Sequence, residues 1–220
     1  MDICLLKKQF VDLKLLHPQL RCKEEKDKIT ISGKIEFNRE WNDIPLAGNY
    51  EIKIQVTTSF PSEIPQVWET SNMVPENYSH FMNDSTLCLG INTELAIKLQ
   101  RNPSLTFFVE TFVADYFYSL NFWIKYGSVP YGERSHYQEG VYEFYKEYFF
   151  VNTKEKVLSL LKTIVQKENR NTKKSSCPCG SRLPVYLCWH SSLFSRSFSR
   201  FEIDHFESDY QYLISEKRGR

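Results

Sequence analysis

The sequence predicts an α+β fold, an antiparallel meander sheet backed by helices, followed by a small cysteine-containing module. Three observations lead there. Lys28–Phe37 and Tyr50–Val56 alternate apolar and polar residues at the period of a half-buried strand. Leu105–Leu120 repeats apolar residues at i, i+3 and i+4, the period of a helix. Three of the six cysteines fall within twelve positions, at Cys177, Cys179 and Cys188, after a polar stretch with nothing to bury.

In chain order, Leu5, Leu6, Phe10, Leu13 and Leu16 predict a first helix over 3–17, ended by His17-Pro18 because the residue before proline avoids helical backbone. The two alternating strands follow, with Ala47-Gly48-Asn49 read as the turn before the second. Prolines at 61 and 65 exclude a helix and force an extended passage, and Gln66–Thr70 is expected to add a third strand. After the helix at Leu105–Leu120, Ser135 and Gln138 have capping-box spacing and predict a helix start at Ser135. Another helix is predicted from Lys154 to Gln166 through Val157, Leu158, Leu161, Ile164 and Val165. These elements define a first domain over 1–166, a linker over 167–176 and a C-terminal module with its tail over 177–220.

The charges nearly cancel, 28 basic against 27 acidic residues, so no strong overall field argues for nucleic acid or an anionic membrane as partner. The longest apolar stretch is broken by Glu110 and Asp115 and cannot span a bilayer. Met1–Lys8 lacks the pattern of a signal peptide. A cytoplasmic location with reduced thiols is the expectation.

Gly48–Ile54, Phe60-Pro61-Ser62-Glu63-Ile64-Pro65-Gln66-Val67, His80 and Asp84-Ser85-Thr86-Leu87-Cys88-Leu89-Gly90 together resemble the core of ubiquitin-conjugating enzymes in order and spacing, over about residues 45–125. The resemblance implies that fold, and it implies that Cys88 accepts a ubiquitin-like protein as a thioester before an amine displaces it. A thiolate suits this work because it attacks activated acyl groups and leaves again readily. By its local sequence alone, Cys88 between Leu87 and Leu89 also fits an ordinary buried cysteine. His80 and Asn83 are auxiliary candidates, for ordering the loop or donating to an oxyanion. No proline follows His80, and Asn83 stands five positions before Cys88 where the family has its asparagine at eight. With the unusual stretch Gly127–His136, these departures are similar to divergent bacterial conjugating enzymes, including those of type II cyclic-oligonucleotide-based antiphage operons (CBASS). That likeness implies as partners a ubiquitin-like modifier or a cyclic-nucleotide synthase of the same operon, and an activating-like enzyme in some systems.

Cys177-Pro178-Cys179-Gly180-Ser181 followed by Cys188-Trp189-His190 resembles the SEC-C zinc motif. Three thiolates and an imidazole, Cys177, Cys179, Cys188 and His190, are the ligand set expected for one structural Zn2+. Two other functions compete with the conjugating enzyme. One is a non-catalytic adaptor of the same fold that recruits partners through the zinc module. The other is a nucleic-acid-binding zinc protein using Lys173-Lys174 and the terminal Arg-Gly-Arg, which the balanced charge opposes.

Overall fold

The computed structural model describes residues 1–82, 84–131, 134–166 and 175–215. Contacts divide the chain into two compact units, one of Met1–Gly90 with Leu95–Glu133, the other of Ile91–Glu94 with Arg134–Arg220.

The first unit opens with helix α1, Ile3–Leu16, whose first turn is capped by Asp2 accepting a hydrogen bond from the Leu5 N–H at 2.7 Å. Its buried face is Leu6, Phe10 and Leu13. Strands β1 (Arg21–Glu24), β2 (Lys28–Trp41), β3 (Ile44–Thr57) and β4 (Gln66–Glu69) form one antiparallel sheet in sequential order. Ile29, Ile31, Ile35 and Phe37 on β2 share the buried face with Tyr50, Ile52, Ile54 and Val56 on β3, because the register sets Ile29 opposite Val56 and Ile31 opposite Ile54.

The hairpin differs from the sequence expectation. Both strands run well past the alternating segments, and the chain reverses at Asn42-Asp43, which take positive φ of 48° and 60° as a two-residue primed turn demands. Ala47-Gly48-Asn49 lies inside β3. Gly48 faces Phe37 there, and a Cβ on it would come within 2.7 Å of Asn121 Nδ2 and 2.9 Å of the Phe37 ring. The glycine serves a close approach, not a turn. β1 went unpredicted.

Helix α2 (Asn92–Arg101), also unforeseen, leads to a run of helix over Leu105–Tyr126. This run is α3 (Leu105–Phe108), a wide turn at Val109–Val113, and α4 (Ala114–Tyr126). In the wide turn the Ala114 N–H donates to the Val109 carbonyl, five residues back, so a π-turn interrupts the predicted helix. It carries Glu110, whose carboxylate accepts from buried His17 Nε2 at 2.8 Å and from Arg39 Nη2 at 2.8 Å. The hydrogen bond from His17, opposed by partial burial and helped by Arg39, holds the Glu110 carboxyl below its usual range. Beyond the turn α4 packs on β2 and β3. Phe117 stacks on Tyr50 with ring centroids 4.0 Å apart, and Asn121 accepts from the Tyr50 hydroxyl at 2.5 Å.

The second unit contains α5 (Tyr137–Phe149), α6 (Lys154–Val165), a short 3-10 turn at Val185–Leu187, α7 (Ser191–Ser195) and α8 (Arg200–Ser215). Its interior is aromatic. Tyr142, Phe144, Tyr145 and Phe149 of α5 and Leu160, Leu161 and Ile164 of α6 are buried with Ile203, Phe206 and Leu213 of α8. The domain division therefore falls elsewhere than expected: α5 and α6 pack with the C-terminal segment, because α8 supplies the apolar face that covers them. Most of the expected linker, residues 167–174, lies outside the described residues. α5 starts at Tyr137, not Ser135. The Ser135 N–H and hydroxyl both donate to Glu143, at 2.9 and 2.7 Å, and the Gln138 side chain reaches the Tyr212 carbonyl. Asp209 of α8 accepts from Thr93 Oγ1 at 2.5 Å and from the Tyr145 hydroxyl at 2.8 Å. Burial raises its carboxyl pKa even though both hydrogen bonds pull the other way.

Candidate functional site

The sequence-predicted residues fall into two places, one in each unit. In the first, Cys88 stands on the return arm of a small hairpin after β4. Phe81 pairs with Leu87, the Met82 N–H donates to the Thr86 carbonyl at 2.8 Å, and the Leu87 N–H donates to Val67 of β4 at 2.8 Å. The tip is tightened by Asp84, which accepts from both the N–H and the hydroxyl of Thr86, at 3.1 and 2.6 Å, and by Ser85 at a φ of 63°. These two hydrogen bonds from Thr86 hold the Asp84 carboxyl below its usual range.

Cys88 is half-buried, and its backbone N–H donates to the His80 carbonyl at 3.0 Å. The fold thus brings His80 and Cys88 together as cross-strand neighbours. The His80 ring tilts against Tyr78 with centroids 4.9 Å apart, and Tyr116 of α4 donates its hydroxyl to the same His80 carbonyl at 3.3 Å. Burial is the main reason that the Tyr116 phenol is raised far above its usual range, with Tyr78 and Cys88 adding to it. A neutral, buried phenol therefore backs the hairpin. Asn83 lies outside the described residues.

In the second place, Cys177, Cys179, Cys188 and His190 are all buried, and their ligand atoms lie within 4.8 Å of one another. Cys179 Sγ is 3.6 Å from Cys188 Sγ, while His190 Nδ1 is 3.4 Å from Cys188 Sγ and 3.8 Å from Cys177 Sγ. Four soft or borderline donors at such separations can hold a metal ion. The loop is shaped for this by its own backbone. The Cys177 N–H donates to the Leu183 carbonyl, the Gly180 N–H to the Cys177 carbonyl, and Gly180 takes a φ of 79°.

His190 is oriented from behind. Its Nε2–H donates to the Phe149 carbonyl at 2.6 Å, which fixes the tautomer and leaves the Nδ1 lone pair facing the sulfurs. Burial pushes the Cys188 thiol up, yet the backbone N–H of His190 and the Ser181 hydroxyl favour its thiolate and bring the pKa down to about 6. Burial raises Cys177 to about 12. A bound cation reverses that preference by taking the thiolate as ligand.

Sequence reasoning did not find Tyr116, Ser181 or the Phe149 carbonyl. Tyr116 reads as one more member of an apolar stripe, Ser181 as part of a glycine-serine turn, and a backbone carbonyl carries no residue signal at all. Compared with known protein families, with curated proteins and with solved structures, the chain matches none.

Proposed function

We propose that this chain is a ubiquitin-conjugating-type acyltransferase that carries a ubiquitin-like protein, or the C-terminus of a target, as a thioester on Cys88. The observation that supports it best is the setting of Cys88: half-buried rather than enclosed, on a hairpin arm tied by backbone to His80 and β4, after an N-terminal helix and a four-stranded meander. The order of sheet, proline-marked extended passage, His80 and Cys88 is the one the resemblance leads us to expect. On this reading the Cys88 thiolate attacks an activated carboxyl carbon and expels the activating group. An amine nitrogen then attacks the thioester, the new amide forms, the amine proton passes to solvent or a nearby base, and the thiolate leaves. The Cys88 N–H is already engaged with His80, so an oxyanion needs another donor.

The metal of the second unit is Zn2+ in this reading. With bonds of about 2.3 Å to sulfur and about 2.0 Å to nitrogen, a tetrahedral zinc site would have edges of about 3.5–3.8 Å; the Cys179–Cys188 and Cys177–His190 separations fall in that range, Cys188–His190 is slightly shorter at 3.4 Å, and the whole set lies within 4.8 Å. Its role there is structural, since all four positions are filled by protein. The partners are a ubiquitin-like modifier or a cyclic-nucleotide synthase of the same operon, with a ubiquitin-activating-like enzyme as acyl source. The setting is type II CBASS-like antiphage defence in the bacterial cytoplasm.

The test is intact mass spectrometry of the protein incubated with ATP, an activating enzyme and modifier encoded beside it. Wild type gains a thiol-sensitive adduct, Cys88→Ser gains a thiol-resistant ester, and Cys88→Ala gains none. An adduct that persists in Cys88→Ala, or no adduct on either nucleophile with the neighbouring proteins present, refutes the assignment.

A further inference from the structure

The balanced charge of the whole chain conceals a local excess. The described residues between 146 and 190 contain five basic residues against two acidic ones, whereas the chain as a whole is +1. Within the described part of this stretch an open cavity of about 630 Å³ lies beside the metal-ligand cluster, lined by Lys146, Phe150, Asn152, Lys156, Gly180 and Ser181, among others. Lys146 is 3.5 Å from Glu139. Lys156 donates to Asn152 Oδ1 at 3.1 Å and makes no ion pair among the described residues.

Large rings stand at the same place and face water. Phe150 is 75% and Trp189 74% exposed, and their centroids are 6.0 Å apart with the rings near perpendicular. Neither is exposed by accident of a loose loop. Phe150 is the left-handed cap that ends α5, and Trp189 sits between two ligands of the metal cluster. The interior of this unit already buries many aromatics, and these two rings are left out of it, in contact with each other.

We propose that this face of the second unit is a binding site for single-stranded nucleic acid, with bases stacked on Trp189 and Phe150 and backbone phosphates on Lys156 and Lys146. Rings that offer π-faces, ammonium groups beside them and an amide and a hydroxyl in the cavity are the set of contacts an unpaired nucleotide uses. An acidic peptide uses the lysines but has no need of several exposed rings. A free mononucleotide needs one ring, and here at least two stand side by side. The site does not depend on Cys88 or on the acyl chemistry assigned to it.

The test is fluorescence anisotropy of full-length, metal-loaded protein with fluorescein-labelled dodecamers of thymidylate and uridylate, titrated at several salt concentrations. The expected result is saturable binding that weakens with salt. Trp189→Ala reduces affinity at least about fivefold and Trp189→Phe restores most of it, since stacking and not indole chemistry is at work. Lys156→Ala lowers the slope of log affinity against log salt by about 0.7, the release expected for one phosphate contact on a single strand. Metal content and thermal unfolding of each variant are measured alongside, so a misfolded variant is recognised, and Cys88→Ala is expected to bind as wild type does. The proposal is overturned by absence of saturable binding at low salt, or by affinities that neither folded variant changes. It is equally overturned by competition from a dodecamer of glutamate as strong as that from thymidylate, or by full displacement with thymidine monophosphate at matched concentration.

Discussion

On the proposal that Cys177, Cys179, Cys188 and His190 hold zinc, stripping the metal is expected to unfold a short stretch and leave the rest of the second unit standing. Within residues 175–190 the apolar side chains that are buried, apart from the cysteines, reduce to Val185, and burying one such side chain stabilises by about 1.5–3 kcal/mol. Ordering each residue of backbone costs roughly 1–2 kcal/mol, so this loop of sixteen residues cannot hold itself by burial. A structural zinc contributes on the order of 10–16 kcal/mol at neutral pH, several times what the buried valine supplies.

α8 is in a different position. Ile203, Phe206 and Leu213 are buried on a helix that packs on α5 and α6, and they lie outside the Cys/His loop. Hydrogen exchange read by mass spectrometry, before and after dialysis against a strong chelator, is the assay. Amides of 177–190 lose protection, the C-terminal cap of α5 at Phe149–Phe150 loses some of it because His190 no longer anchors it, and amides of α6 and α8 keep theirs. Restoring zinc restores the loop. Protection in 177–190 that survives removal of the metal refutes the reasoning, as does loss of α8 in the same step.

Two further perturbations follow from the same structure. Asp209→Asn is expected to stabilise the second unit at neutral pH, because a raised folded-state pKa means that ionisation is disfavoured there, while the amide oxygen still accepts from Thr93 and Tyr145. The wild-type contribution is present below the unfolded pKa and is lost as pH rises through the raised folded one, so denaturant midpoints of the two proteins should converge in acid; a gap that widens in acid contradicts this. Gly48→Ala forces a Cβ against Asn121 and the Phe37 ring and should destabilise the first unit by about 1–3 kcal/mol, read from urea unfolding of its tryptophan fluorescence, and an unchanged midpoint argues against the packing described.

Much of the architecture was written in local pattern. α1 announces itself through Leu6, Phe10 and Leu13, the central hairpin through its alternating isoleucines, and the metal cluster through cysteine spacing, because each of these depends on residues near one another in the chain. The misses have non-local causes. β1 is largely exposed, with no apolar alternation, and exists as a strand through its pairing with β2. Gly48 resembled a turn residue because its need for space comes from Asn121, more than seventy positions away. Ser135 looked like a cap, but its hydroxyl is taken by Glu143. For Cys88 the sequence left exposed and enclosed settings open, and its half-buried place on the hairpin comes from pairing with His80 and from β4.

The wide turn at Val109–Val113 acts on the helix as an added letter acts on a reading frame. One extra residue rotates everything downstream by about 100° relative to an uninterrupted α-helix. Ahead of it, Leu105 and Phe108 follow one phase; beyond it, Phe117 and Asn121 follow another, and the offset lets Asn121 meet Tyr50 while Glu110 meets His17 and Arg39. Removing a single residue there would bring the two phases into line and turn Asn121 and Phe117 away from β3. The length of this segment matters as much as its side chains, because it has two sets of partners to serve at once.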